Sequence, residues 1–182
     1  MAYLIAVVGA GCLANLALTL AVIRRLRRLS GRLPAAAARP RPPGGPRTPR
    51  LPVGGRVKEF AAATVAGERR TLSQLAAERS VVAFFSPHCH PCQVQLPEFI
   101  GYAGKVPGGP ARVLAVVSGP ADAAGDFARE LAGVASVVVE PRRGPVATAF
   151  SVSGYPTFYV LGESGEVEAS GPRVLDLAAL PV

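Results

Sequence analysis

Residues 81–92, VVAFFSPHCHPC, decide the fold. The first five residues form a continuous apolar run, which predicts a short strand covered on both faces. Cys89 and Cys92 follow at the start of a helical stretch that includes Val94, Leu96 and Phe99. Because the unpaired amides of a helix N-terminus stabilise a thiolate, we expect Cys89 to be the exposed nucleophile. Cys92, one turn further along, could then attack a mixed disulfide at the sulfur of Cys89.

The segments around this stretch predict an α/β domain. Residues 112–118 and 136–139 repeat the apolar strand pattern, and the residues between them contain a helix at 121–131. Strand, helix and strand in this order indicate a right-handed parallel crossover. Residues 157–161 and 167–170, joined by a turn, indicate an antiparallel hairpin, and residues 174–180 a very short C-terminal helix. We therefore expect a mixed central sheet flanked by helices.

An apolar N-terminal segment precedes this domain. Residues 2–23 carry no charge, and at about 1.5 Å per residue they would form a helix of roughly 33 Å, long enough to cross a bilayer. We predict a transmembrane anchor at residues 1–23, a basic linker rich in Pro, Gly and Arg at 24–52, and the α/β domain at 53–182. The anchor would place the protein in the cell membrane as a single-pass protein in contact with lipid.

The formal net charge of +8 comes from the linker. Residues 24–50 hold nine arginines and no acidic residue, which leaves 11 of the 20 basic residues for residues 51–182, against 12 acidic ones. A nearly neutral domain with few aromatic residues lacks both the basic groove that binds a phosphate backbone and the side chains on which bases stack. We therefore exclude nucleic acid as a partner.

Several motifs resemble a known family. They lie at residues 57–60, 64–68, 71–75, 81–85, 89–92, 96–97 and 154–158. Over about residues 53–170 the chain resembles the membrane-anchored thioredoxin-like thiol-disulfide oxidoreductases of the TlpA, ResA and MauD type.

The resemblance implies a thioredoxin-like fold, with Cys89 attacking and Cys92 resolving. Pro156, preceded by Tyr155, would be the cis-proline that faces the pair. The implied partners are protein thiol or disulfide substrates and a redox-donor protein. We expect neither a cofactor nor a resident metal.

The active-site motif departs from the family in two ways. Pro87 and His88 replace the tryptophan that usually precedes the first cysteine, and residues 81–85 contain no carboxylate that could shuttle a proton. The only two histidines, His88 and His90, flank Cys89. An imidazolium beside a thiol favours the thiolate, so we expect His90, next to Pro91, and His88 to make the pair less reducing than a typical thioredoxin.

Two questions stay open at this stage. The cluster His88-Cys89-His90-Pro91-Cys92 could instead deliver a metal, most readily Cu(I) through two thiolates.

The side of the membrane on which the domain lies is the second question. Arginines close behind an apolar span are retained in the cytoplasm, which predicts a cytoplasmic domain, whereas the family precedent is extracytoplasmic. The substrate protein, the direction of electron flow and the oligomeric state do not follow from the sequence.

Overall fold

The fold is taken from a computed structural model, which describes Asn15 and residues 50–177. Residues 50–177 all belong to one compact unit, Pro46–Val182. The described strands and α-helices are, in chain order, β1 (Ala61–Ala63), β2 (Arg69–Thr71), α1 (Leu72–Leu75), β3 (Ser80–Phe85), α2 (His90–Ala103), β4 (Val113–Ser118), α3 (Ala121–Leu131), β5 (Ser136–Glu140), α4 (Pro145–Ala149), β6 (Thr157–Leu161) and β7 (Val167–Gly171). Short 3₁₀ turns lie at Gly109–Arg112 and Val174–Asp176.

Five strands form the central sheet in the order β5-β4-β3-β6-β7. Strands β3, β4 and β5 are parallel, and β6 runs antiparallel to both β3 and β7. Helix α3 connects the parallel neighbours β4 and β5, as the strand-helix-strand pattern predicted. The mixed sheet and the final hairpin are therefore confirmed.

Strand β3 lies at the centre of the sheet, and all six of its residues are buried. Side chains alternate between the two faces of a strand, so β3 contributes to two hydrophobic clusters. Val81, Ala83 and Phe85 pack in one cluster with α2 and α3. Val82 and Phe84 pack in the other, which includes residues of α1 and α4. This double burial explains the continuous apolar run in the sequence.

The residues just before the predicted domain start also contact the domain. The Leu51 N–H donates to the Tyr159 hydroxyl at 3.3 Å, and that hydroxyl donates to the Phe150 carbonyl at 3.2 Å. Further on, the Gly54 N–H donates to the Val167 carbonyl at 2.8 Å. Leu51, at the end of the predicted linker, thus contacts β6 through Tyr159, and the Ser170 hydroxyl of β7 donates to its carbonyl at 3.5 Å.

Three small elements were not predicted, namely the β1-β2 hairpin, α1 and α4. Strands β1 and β2 form a separate antiparallel hairpin, and α1 follows β2 directly. Helix α1 begins with a capping box, in which Thr71 and Gln74 each bind the other's backbone amide. The pattern Thr-x-x-Gln before an apolar residue is a sequence signature of a helix start, so this element could have been found.

The predicted C-terminal helix at residues 174–180 is wrong in its described part. Within residues 174–177 only the 3₁₀ turn Val174–Asp176 forms, and the Asp176 carboxylate accepts the Arg173 N–H at the start of this turn at 3.0 Å. Residues 178–180 lie outside the described residues.

The predicted anchor, residues 1–23, lies outside the described residues apart from Asn15, which is helical. Among the residues that are described, no helix is both long enough and apolar enough to cross a membrane.

Candidate active site

The candidate site begins where β3 ends and α2 starts. The Cys89 N–H donates to the Ser86 carbonyl at 3.1 Å, which closes a turn after the strand. Cys89 is the N-cap of α2, and its carbonyl accepts the N–H of Cys92 at 2.9 Å. Pro91 lies in the first helical turn, where the lack of an N–H costs nothing. The sequence Cys-His-Pro-Cys therefore starts the helix at its first cysteine.

The two thiols have different environments. Cys92 is completely buried and belongs to the core cluster on the α2 side of the sheet, whereas Cys89 is half-buried and packs at its edge. Burial raises the pKa of Cys92 well above its ordinary value, and the hydrogen bond to the Cys89 side chain adds to the increase. The Ser86 N–H donates to the Cys92 sulfur at 3.4 Å, and this hydrogen bond opposes the increase in pKa. Cys92 thus stays a neutral thiol while Cys89 is the accessible sulfur.

A loop distant in sequence completes the site. The Tyr155–Pro156 peptide bond is cis, and the Cys89 thiol donates to the Tyr155 carbonyl at 3.4 Å. Strands β3 and β6 are neighbours in the sheet, with Phe84 opposite Thr157, which brings this loop to the start of α2. The structure therefore brings together Cys89, Cys92, Tyr155 and Pro156.

The histidines and Pro91 lie at the surface of the site. His88 and His90 are exposed on either side of Cys89, and Pro91 is exposed as well. Within residues 50–177 no three His, Cys, Asp or Glu side chains are grouped so that they could hold a metal ion. A Cu(I) site made of the two thiolates alone stays an untested prediction.

A buried carboxylate, Glu140, was missed in the sequence analysis. Glu140 ends β5 and is only 4% exposed, and its two carboxylate oxygens accept the N–H groups of Val146 at 2.9 Å and Ala147 at 2.8 Å. Burial raises the pKa of Glu140, and the two amide donors oppose the increase. A Cβ at Gly144 would lie 2.5 Å from this carboxylate, so glycine is required there. An acid at the end of an apolar run, followed by Pro-x-x-Gly-Pro, was the available signal.

Glu140 has a positioning role. It fixes the first turn of α4, and the chain continues from α4 through Phe150 to the cis-proline loop. Glu140 lies on the sheet face opposite Cys92, because its β5 neighbour Val138 belongs to the second core cluster. It therefore does not supply the proton-shuttling carboxylate that β3 lacks.

Fold and site together define a thioredoxin-like domain with an exposed and a buried cysteine at the start of a helix. The family model of the AhpC/TSA family matches residues 53–170, and the chain belongs to this family. No curated protein matches the chain.

Similar solved structures include three bacterial proteins. The thioredoxin domain of a thiol-disulfide oxidoreductase from Bacteroides vulgatus is 15% identical, with a TM-score of 0.59 over 71% of this chain and 94% of that one. A Chlorobium tepidum protein described as the thiol:disulfide interchange protein DsbE is 25% identical, with a TM-score of 0.55 over 71% and 92%. A thiol:disulfide interchange protein from Bacteroides sp. is 15% identical, with a TM-score of 0.58 over 71% and 87%. The thioredoxin-like fold is confirmed, and the chain is an oxidoreductase of this class.

The role of Glu140 can be tested with Glu140→Gln. A glutamine offers one acceptor oxygen where two backbone N–H groups need one each, so we expect a loss of about 1–3 kcal/mol in the free energy of unfolding at neutral pH. The pH dependence should change too. Because burial raises the folded-state pKa of Glu140, the stability linked to its protonation is present below the unfolded pKa and is lost as pH rises through the folded value, whereas its two hydrogen bonds to backbone amides remain.

Urea unfolding between about pH 4 and pH 7 would measure both effects, and Glu140→Gln should lack the fall in stability that Glu140 causes. Glu130→Gln, on the exposed side of α3, is the matched control. Equal stabilities and equal pH slopes for Glu140→Gln and the native chain would contradict the assigned role.

Proposed function

We propose that the chain catalyses thiol-disulfide exchange on protein substrates through Cys89 and Cys92. The observation that carries the proposal is the difference in environment between the two sulfurs. One is accessible at a helix N-terminus beside the Tyr155 carbonyl, and the other is buried in the next turn of the same helix. Membership of the AhpC/TSA family and the similarity to thiol-disulfide oxidoreductases support this function.

In the reducing direction, the Cys89 thiolate attacks one sulfur of a substrate disulfide. A bond forms between Cys89 and that sulfur while the substrate S–S bond breaks, and the released sulfur leaves as a thiolate that takes up a proton. Cys92 then loses its proton and attacks the sulfur of Cys89. The Cys89–Cys92 bond forms while the bond between Cys89 and the substrate breaks, and the second substrate sulfur leaves as a thiolate that takes up a proton. The substrate gains two electrons and two protons in total, and the enzyme is left with a Cys89–Cys92 disulfide. A dithiol protein would restore the reduced pair, and the reverse sequence oxidises a substrate dithiol.

The raised pKa of Cys92 affects the second step. A neutral Cys92 does not compete with Cys89 for the first attack, but it must lose its proton before it resolves the mixed disulfide. Strand β3 provides no carboxylate to accept this proton. The first substrate thiolate to leave is a base that the reaction itself supplies, and we expect resolution to be coupled to transfer of the Cys92 proton to it.

Replacing the buried cysteine should trap substrates. In Cys92→Ser the attacking thiol remains and the resolving thiol is lost, so we expect mixed disulfides with substrate proteins to accumulate on Cys89. In Cys89→Ser we expect none, since Cys92 is buried and neutral. The measurement is non-reducing electrophoresis after acid quenching of cells that express each full-length variant, followed by mass spectrometric mapping of the linked cysteine.

Cys12→Ser is the control, because Cys12 lies outside the motif and its removal should leave the adducts of a Cys92→Ser background unchanged. Adducts in Cys89→Ser, with none in Cys92→Ser, would reverse the assigned roles.

We further propose that the domain is tethered to the cell membrane by residues 1–23 and faces the cytoplasm. The support is the uncharged run of residues 2–23 and the arginines directly behind it. A fluorescent protein fused after Val182 should be bright, and alkaline phosphatase fused there should be inactive. The opposite pair of results would place the domain outside, and release of the chain by high salt alone would contradict the anchor.

A further inference from the structure

A cationic cleft lies next to the cis-proline loop. It has a volume of about 350 Å³ and is lined by Arg142, Arg143, Val152, Ser153 and Tyr155. Tyr155 connects this cleft to the candidate active site, since its backbone carbonyl accepts the Cys89 thiol and its ring forms part of the cleft wall. The cleft therefore adjoins the candidate active site through Tyr155.

The charge of the cleft is not neutralised by the described part of the chain. Arg142 and Arg143 are both exposed, and no carboxylate in residues 50–177 forms an ion pair with either of them. The carboxylate nearest in sequence, Glu140, is buried, and both of its oxygens accept backbone amides. The Arg142 guanidinium instead lies 6.0 Å from the centre of the Tyr155 ring, at the outer limit of a cation-π contact.

The backbone of the cleft is held in place. The Gly144 N–H donates to the Pro141 carbonyl at 2.9 Å, which closes the turn that carries both arginines. Arg143 has a φ of 63°, a left-handed conformation that a non-glycine residue rarely adopts, and its carbonyl accepts the Thr148 hydroxyl at 3.0 Å. Glu140 fixes the helix that follows. Hydrogen bonds from Thr148 and to Glu140 thus hold this turn next to Tyr155, and neither of them uses the guanidinium groups of the two arginines.

We propose that Arg142 and Arg143 form a specificity subsite that selects protein substrates with an Asp or Glu side chain close to the reacting cysteine. The inference rests on the proposed thiol-disulfide exchange and names the substrate class of that same site. Guanidinium groups bind carboxylates through paired, charge-assisted hydrogen bonds. Water and salt screen such a pair less in a partly enclosed cleft than on an open surface. Tyr155 separates Cys89 from Arg142, and an extended peptide advances about 3.3 Å per residue, so the carboxylate is expected a few residues from the substrate cysteine.

The reaction can be measured without any redox donor. The reduced full-length protein, in detergent, is mixed with a short peptide that contains an intramolecular disulfide, and the second-order rate constant of the single exchange is followed by acid quenching and chromatography. Three peptides differ only at one position three residues from the attacked cysteine, which is Asp, Asn or Lys. The quantity compared is the ratio of the Asp to the Asn rate constant.

For the native chain we expect an Asp-to-Asn ratio of about 10, equivalent to about 1.4 kcal/mol, that declines with added salt. The ratio should fall to about 1 in the double variant Arg142→Gln/Arg143→Gln and should be retained in Arg142→Lys/Arg143→Lys, which preserves both charges. In Arg142→Glu/Arg143→Glu the Lys peptide should become the preferred substrate. Arg69→Gln removes an exposed arginine of the separate β1-β2 hairpin and is the matched control, with the native ratio.

The remaining outcomes separate this inference from the proposed function. Equal rate constants for the three peptides in the native chain, or a ratio that the double Gln variant leaves unchanged, would overturn the subsite while exchange itself stands. If even the Asn peptide does not react, thiol-disulfide exchange fails, and the subsite fails with it.

Discussion

The burial of β3 on both faces is the constraint on which the rest of the structure depends. Its paired neighbours β4 and β6 and the two hydrophobic clusters fix the strand on every side. The chain can leave the core only at its end, through the turn that the Cys89 N–H closes on the Ser86 carbonyl. Helix α2 then starts at the end of the central strand, with His90 exposed at its first position and Cys92 buried in the core.

The asymmetry of the two thiols follows from this geometry. Cys89 precedes the first helical turn, so its sulfur lies at the surface, and β6 brings the Tyr155 carbonyl to within hydrogen-bond distance of it. Cys92 points back into the cluster that Phe85 and Phe99 form, where desolvation penalises its thiolate. Neither residue needs a specialised neighbour for this difference, which comes from the position of each sulfur relative to the end of a buried strand.

The sequence was most informative where burial on both faces imposes a simple pattern. Strands β3 to β6 were predicted because their residues are mostly apolar, β7 was predicted from the turn that precedes it, and the cysteine pair was predicted from its place after β3. The sequence around Glu140 indicates an acid before a turn, but it does not show that the carboxylate accepts two amides of α4, so the role of Glu140 was not found. The contact between Arg142 and Tyr155 could not be predicted either. These residues lie in two loops that are distant in sequence, and the strand order β5-β4-β3-β6 brings both loops to the same end of the sheet. The resemblance to a known family supplied the role of Pro156, which the residues alone could not.

The central claim is that Cys89 and Cys92 form one reversible dithiol-disulfide couple. The most direct test is equilibration of the full-length Cys12→Ser chain in buffers of graded glutathione redox potential, with mass spectrometric counting and mapping of the thiols. We expect one transition that links Cys89 to Cys92 with the loss of two protons and follows a two-electron slope of about 30 mV per tenfold change. A chain that keeps both thiols free across the whole range, or that forms only mixed disulfides with glutathione, would contradict it.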